Sequence, residues 1–390
     1  MVVLFVAPLY EAKGEKPKGG ISMYLRRVTG ALKELGHTPI ILTVGKKDTR
    51  YIENGVEVLF VRCPYWRLKS ESLHVACNIL IKNLVINRKI KELLKERKID
   101  LIQFASIWSF SFLYYGRTPA VMRMSIYSKV YRQYKENKAD IDTQAFFERL
   151  AVRHCNAVFA PSKVIADAFA KDIHRKVSVI ESPFWNDNTR YDDSLYQEKL
   201  GEKKYFLFFG RLVTDKGILV IAECLQQFLR EHVDYYFVCC GIEESGSGEN
   251  PVRILKKAAG EYQERFLYMR ALPHSTLYPI VQNADFVVFP SLIDNFPNAC
   301  LEAMYFRRVV IGTDGTSFEQ LIEDGKSGFL CAPNDADSLS EKMEEAACMD
   351  DQQRKIMGEY AKKRIDMLSP EFTVKKLVRY YQYVIEHSKR

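Results

Sequence analysis

Gly210-Arg211-Leu212-Val213-Thr214-Asp215-Lys216-Gly217 sets a guanidinium and an ammonium five residues apart, after an apolar run and before a helix-forming stretch. A helix start presents free N–H groups and the positive end of the backbone dipole, so it attracts anions. Arg adds a planar fork of donors and Lys a mobile point charge. The cluster suits a dianionic diphosphate; the alternative is two solvated cations beside a turn. A second cluster, Pro290-Ser291-Leu292-Ile293-Asp294-Asn295-Phe296-Pro297-Asn298 running into Ala299–Met304, also follows an apolar run and enters a helix. Glu302, expected two turns into that helix, can accept bonds from two vicinal hydroxyls, as on a ribose. Asp294 can reach a sugar hydroxyl, and N–H groups of the Phe296, Pro297, Asn298 turn region can face phosphate or sugar. The alternative is an acidic residue that favours the helix dipole, with Glu302 in solvent. In Lys18-Gly19-Gly20 the glycine pair would let backbone approach a phosphate closely, or simply make a turn.

These clusters need rigid elements to hold them. Apolar runs at Val2–Pro8, Pro39–Val44, Val56–Val61, Leu101–Phe104, Ala120–Met124 and Ala157–Ala160 read as strands. Helical spacing marks Ile21–Leu35, the long amphipathic Leu73–Leu94 and a segment around Thr143–His154. Strands separated by helices predict a parallel sheet covered on both faces. Residues Ser182–Leu200 break the pattern and read as a linker. The alternation restarts at Tyr205–Phe209, continues through Tyr235–Cys240, Phe266–Met269, Phe286–Phe289 and Val309–Gly312, and closes with helices at Ala336–Ala347, Asp351–Met367 and Pro370–His387. The expected fold class is therefore α/β with two doubly wound domains. Open α/β sheets bind ligands beyond the carboxyl ends of their strands, so a cleft between the domains is the expected ligand site.

The chain of 390 residues, 47% hydrophobic, suits two domains. Its net charge of +8 is unevenly placed: residues 1–190 hold 32 Lys+Arg against 18 Asp+Glu, and residues 191–390 hold 25 against 31. A basic half suggests an anionic partner, and lipid head groups, a phosphate-bearing acceptor or nucleic acid all fit the charge alone. Nine Cys form no CxxC pair and no zinc-finger spacing, which points to reduced thiols and a cytosolic compartment. Met1–Tyr10 lacks a basic start and reads as a first strand, not a signal peptide. No window approaches the ~20 apolar residues of a membrane span. No GxGxxG follows a strand, since Gly241, Gly246 and Gly248 are too loosely spaced.

In combination and order, the clusters resemble retaining glycosyltransferase family 4. Gly210–Gly217 matches its G-R-L-x-x-x-K-G at every fixed position. Asp294…Glu302 is similar to its paired acidic motif with seven residues between, and Leu301-Glu302-Ala303-Met304 matches the tail. Gly19-Gly20, Leu35-Gly36-His37 and the block around Glu319 resemble further family signatures. The resemblance implies a GT-B fold of two Rossmann-like domains facing across a cleft. The acceptor side would comprise residues 1–190 plus 370–390, and the donor-binding domain residues 200–369. Arg211 and Lys216 would hold the diphosphate and stabilise the leaving group. Glu302 would bind the ribose, while Asp294 with the backbone at Phe296, Pro297 and Asn298 would contact the donor sugar. Gly19 and Gly20 would close over the phosphates. It also implies a nucleoside-diphosphate sugar as donor, no cofactor and no metal ion.

Two departures stand out. Asp294 replaces the family's Glu and Asn295 its usual Gly, and Ser125 stands where many relatives end a strand with His. Arg123 and Ser125 are then the candidate acceptor or sugar contacts. The aromatic stretch Ile107–Tyr115 (IWSFSFLYY) and Phe184-Trp185 could stack on sugar rings or lie against lipid. The expected partners are a saccharide or lipid-linked saccharide acceptor and an anionic membrane surface, not nucleic acid. A non-catalytic nucleotide-sugar-binding subunit and an epimerase of the same fold are the competing readings.

Overall fold

The computed structural model describes residues 1–15, 19–66, 68, 70–134, 137–186, 190–244 and 248–388. Lys18 and Gly246 lie outside them. The chain divides into two compact units, residues 1–184 with 368–390, and residues 185–367.

In the first unit the strands are β1 Val2–Ala7, β2 Thr38–Gly45, β3 Thr49–Glu53, β4 Val56–Arg62, β5 Leu101–Ala105, β6 Ala120–Arg123, β7 Ala157–Ala160 and β8 Ser178–Val179. The helices are α1 Gly20–Glu34, α2 Glu71–Glu96, α3 Ser128–Tyr131, α4 Lys138–Ala151 and α5 Lys163–Ile173. The sheet order is β3-β4-β2-β1-β5-β6-β7-β8. Every pair is parallel except β3 with β4. Side chains alternate across such a sheet, and both faces here are apolar. Leu4 and Val6 of β1 pack with Ile86 and Ile90 of α2 and Phe169 of α5. Val3 and Phe5 pack with Leu25, Val28 and Leu32 of α1 on the other face. Val374, Leu377 and Tyr381 join that second face from the end of the chain, and the Tyr381 hydroxyl donates to Gln103 of β5.

The second unit holds β9 Lys204–Leu212, β10 Tyr235–Glu243, β11 Phe266–Arg270, β12 Phe286–Val288, β13 Val309–Thr313 and β14 Phe329–Cys331. Its helices are α6 Ser194–Lys199, α7 Ile218–Glu231, α8 Pro251–Ala258, α9 His274–Asn283, α10 Asn298–Tyr305, α11 Ala336–Ala347 and α12 Asp351–Asp366; α13, Pro370–His387, returns to the first unit. The order β11-β10-β9-β12-β13-β14 is parallel throughout. Phe206, Phe228, Tyr235 and Phe286 form an aromatic cluster under α7.

Four elements differ from expectation. The stretch taken as a linker contains α6, and its first residues belong to the first unit. Glu302 sits one turn into α10, not two, because the helix starts only at Asn298. The edge strand β3 and the two-residue β8 carry too little apolar pattern to be read. Among the described residues no helix is long and apolar enough to cross a membrane.

Candidate functional site: two basic centres

In the second unit, the two chemical clusters meet. Strand β9 carries the chain through Gly210 and Arg211 to a short turn at Thr214–Lys216, and Gly217 then opens α7. Gly217 has φ 76°, and a Cβ there would fall 1.9 Å from the Pro290 carbonyl oxygen. Only glycine lets the turn press against the loop that follows β12. The Leu292 N–H donates to the Asp215 carbonyl at 3.0 Å, a second tie between the same two segments. The Lys216 ammonium then forms an ion pair with the Asp294 carboxylate, both mostly shielded from solvent. The other Asp294 oxygen accepts from the Asn295 N–H at 3.0 Å, which fixes the carboxylate's direction.

Arg211 stands half in solvent and pairs with Glu244, just beyond β10, at 3.2 Å. Strand β10 can run this close because Gly241 faces Gly210; a Cβ on Gly241 would lie 1.6 Å from the Gly210 carbonyl oxygen. Phe296 and Pro297 lead into α10, whose first residue is Asn298. Glu302 is buried, 6% exposed, and its carboxylate lies 3.7 Å from Nε2 of His274. The His274 ring stacks on Tyr278 with centroids 4.9 Å apart and planes 8° from parallel. Glu319 accepts from the Gly315 N–H at 2.6 Å and closes a local turn. The whole assembly lies at the carboxyl ends of parallel strands, where ligands of open α/β sheets bind.

The first unit places its residues differently. Gly19 precedes α1 with φ 92°, and its surroundings would leave a Cβ unobstructed. Gly20 is the first residue of α1. Arg123 ends β6 and is only 6% exposed. It donates to the Ser125 hydroxyl at 2.7 Å and the Ser182 hydroxyl at 2.9 Å, and its guanidinium lies 3.7 Å from the Tyr24 ring centroid. Burial lowers its pKa, and the Tyr24 and Tyr381 hydroxyls partly offset that. Burial likewise raises the pKa of Tyr24. The aromatic stretch divides: Phe110 and Tyr114 are core, Trp108 is half-buried, and Tyr115 is exposed.

The sequence matches two family models side by side. Residues 18–183 match "Glycosyltransferase Family 4", and residues 193–364 match "Glycosyl transferases group 1". The chain belongs to the family 4, group 1 glycosyltransferases. A D-inositol 3-phosphate glycosyltransferase of Corynebacterium urealyticum is 24% identical over 98% of this chain and 94% of the relative. In fold, the chain is similar to a sucrose-phosphate synthase from Thermosynechococcus elongatus, with TM-score 0.77 and 15% identity over 99% of both chains. It is also similar to Anabaena Alr3699/HepE in complex with UDP and glucose, with TM-score 0.71 and 16% identity over 98% of this chain and 100% of that one. The fold is GT-B, and transfer of a glycosyl group from a nucleotide sugar to a saccharide acceptor fits this membership.

In this glycosyltransferase the structure brings Arg211, Lys216, Asp294 and Glu302 to one edge of one sheet. Sequence reasoning missed Glu244 and His274. Glu244 meets Arg211 across two strands from a polar loop that has no pattern of its own. His274 follows Pro273 at the start of α9, a spacing shared by many helix starts, and only the fold sets it beside Glu302.

Proposed function

We propose that the enzyme is a retaining, metal-independent hexosyltransferase acting on a lipid-linked or cell-surface glycan precursor. The observation that carries this reading is the placement of Arg211 near the end of β9 and of Lys216 in the turn that opens α7, with that turn tied to the loop after β12. In the reaction, the bond from the sugar's anomeric carbon to the diphosphate oxygen breaks, and the acceptor oxygen bonds to that carbon. The acceptor's proton passes to the departing diphosphate. Charge grows on the leaving oxygen, so preorganised cations there act mainly on the transition state. Arg211 and Lys216 take that role, exchanging their carboxylate partners for phosphate oxygens. Glu302 takes the ribose hydroxyls, while Asp294 and the backbone at Phe296, Pro297 and Asn298 orient the sugar. Gly19 and Gly20 offer backbone N–H groups to phosphate. Arg123 holds Ser125 in place, and Ser125 meets the acceptor. Retention at one face needs no enzymatic nucleophile, and with Ser125 where many relatives have His, no imidazole base is assigned at that position.

The same reading sets the enzyme on the cytoplasmic face of a membrane. Along one side of α2, exposed Leu73, Leu80 and Leu84 continue into exposed Arg88, Lys91 and Lys95. Apolar side chains followed by cations on one helix face suit an anionic bilayer surface. Co-sedimentation with vesicles containing phosphatidylglycerol at low salt, but not with phosphatidylcholine alone, is expected; no difference between them removes the membrane from the proposal.

Release of nucleoside diphosphate from a panel of nucleotide sugars, with saccharide acceptors and with EDTA present, tests the chemistry. The expected product keeps the donor's anomeric configuration, read from its proton–proton coupling. An inverted product overturns retention. Activity lost in EDTA and restored by a divalent cation overturns metal independence.

A further inference from the structure

Lys82, on the inward side of α2, is 7% exposed although it carries a charge. Its ammonium lies 3.8 Å from the Trp108 ring centroid and 5.4 Å from that of Tyr65. Among the described residues it makes no hydrogen bond and meets no carboxylate. Burial lowers its pKa, so the charged form stands partly desolvated. An ammonium held this way interacts strongly with any anion that reaches it, because little solvent screens the pair.

The surroundings are built, not incidental. Asn78 binds the Trp66 backbone from both sides, accepting from its N–H at 3.2 Å and donating to its carbonyl at 2.8 Å. The Tyr65 hydroxyl and His74 Nε2 are 2.8 Å apart. Asn83 donates to the Trp108 carbonyl at 3.0 Å, while its own buried Oδ1 accepts no hydrogen bond among the described residues. Trp108 and Ser109 both have positive φ, 63° and 50°, a conformation that costs non-glycine residues energy and persists where surrounding structure holds it. Tyr65, near the ammonium, and the next residue, Trp66, keep 64% and 58% of their surface open. These segments follow β4 and β5, at the same carboxyl edge of the sheet as Gly19.

We propose that this cluster is the acceptor subsite for an anionic saccharide, with Lys82 holding the phosphate or carboxylate and Tyr65 and Trp66 stacking on the sugar ring. The inference rests on the transferase reading, and it adds that the acceptor is charged. Aromatic faces alone suit any sugar; the desolvated ammonium selects against neutral ones. Lys82 acts in binding and not at the reacting carbon, so it governs KM for the acceptor and not donor turnover.

The test compares glucose, glucose 6-phosphate, glucuronate and inorganic phosphate on wild type, Lys82→Met and Lys82→Arg, reading tryptophan fluorescence. Vesicles with phosphatidylinositol form a further arm that separates a lipid-borne anion from a soluble one. Wild type is expected to bind glucose 6-phosphate or glucuronate at least about tenfold more tightly than glucose, equivalent to about 1.4 kcal/mol. Lys82→Met abolishes that preference and Lys82→Arg keeps part of it. Lys82→Met also melts no lower than wild type, because it removes a desolvated charge while retaining an apolar stem. Equal binding of charged and neutral sugars, or an undiminished preference in Lys82→Met, overturns the subsite. A lower melting point for Lys82→Met with no change in sugar preference assigns Lys82 to structure instead. Nucleoside diphosphate binding, measured on the same samples, separates the two claims: its presence without sugar discrimination sinks the subsite alone, and its absence sinks the transferase reading.

Discussion

The basic residues of the two units are kept in opposite ways. In the second unit Arg211 is half-exposed and paired with Glu244, and Lys216 is paired with Asp294. In the first unit Lys82 and Arg123 are 7% and 6% exposed, one over aromatic rings and the other between two serines and a tyrosine. The Arg211–Glu244 pair is exposed and contributes little to stability, so exchanging its carboxylate for a phosphate oxygen costs little, while the mostly shielded Lys216 ammonium keeps an anionic partner before and after the exchange. A buried cation with only neutral partners carries a desolvation cost at all times. The first arrangement suits groups that grip and release a leaving diphosphate in each turnover. The second suits fixed recognition, where the charge is placed once and its neighbours hold it there.

The contrast is most exposed to challenge in turnover. Lys216→Ala and Arg211→Ala should each lower kcat by roughly 10²–10³, the usual loss for one preorganised transition-state contact. Arg211→Ala should leave the unfolding free energy within about 0.5 kcal/mol of wild type, as exposed substitutions do. Comparable loss of stability and activity in a urea titration run beside the assay would erase the distinction between the units. Arg123→Met should show the reverse balance. It removes the hydrogen bonds to Ser125 and Ser182 and the packing on Tyr24, so stability should fall by about 2–3 kcal/mol.

A third buried ionisable group sharpens the picture. Glu148 of α4 accepts from the Ser128 N–H at 3.0 Å and the Ser128 hydroxyl at 2.7 Å, yet burial raises its pKa to about 8 from 4.5. The folded chain therefore keeps a proton that the unfolded chain releases between these values. The stabilisation is complete below pH 4.5 and falls away as pH rises towards 8, by at most about 1.4 kcal/mol per pH unit. Between pH 6 and 8 wild type should lose about 2 kcal/mol from this group, and Glu148→Gln should flatten the profile in thermal melts. A profile unchanged by the substitution would show that Glu148 is ionised throughout. The smallest effect is expected at Glu302. Glu302→Gln keeps one acceptor and loses the charge, so the donor KM should rise about tenfold with kcat little altered; a fall in kcat alone would move Glu302 from ribose binding to the chemistry.

The same contrast explains what could be read in advance. Arg211, Lys216, Asp294 and Glu302 were legible because each sits at a strand end or a helix start, where local sequence sets geometry. The parallel strands were legible because burial on both faces leaves continuous apolar runs, as in Val3–Ala7 and Phe206–Phe209. Lys82 was not, since a lysine on a lysine-rich helix reads as solvated until Trp108 and Tyr65 are folded over it. The positive φ of Trp108 and Ser109 has no glycine to announce it. Strand β3 and helix α6 hold few buried side chains, so their apolar pattern is too thin to distinguish from loop. Glu244 and His274 depend on pairing between segments that only the sheet order brings together.

The central claim is that Arg211 and Lys216 form the diphosphate site of a nucleotide-sugar donor. Thermal shift of wild type and Arg211→Ala with a panel of nucleoside diphosphates tests it most directly. A diphosphate at ~100 times its dissociation constant adds about 2.7 kcal/mol of stability. The account predicts that at least one nucleoside diphosphate raises the wild-type melting point and that Arg211→Ala loses most of that rise at the same concentration. A response equal in both proteins, or none in wild type, would contradict it.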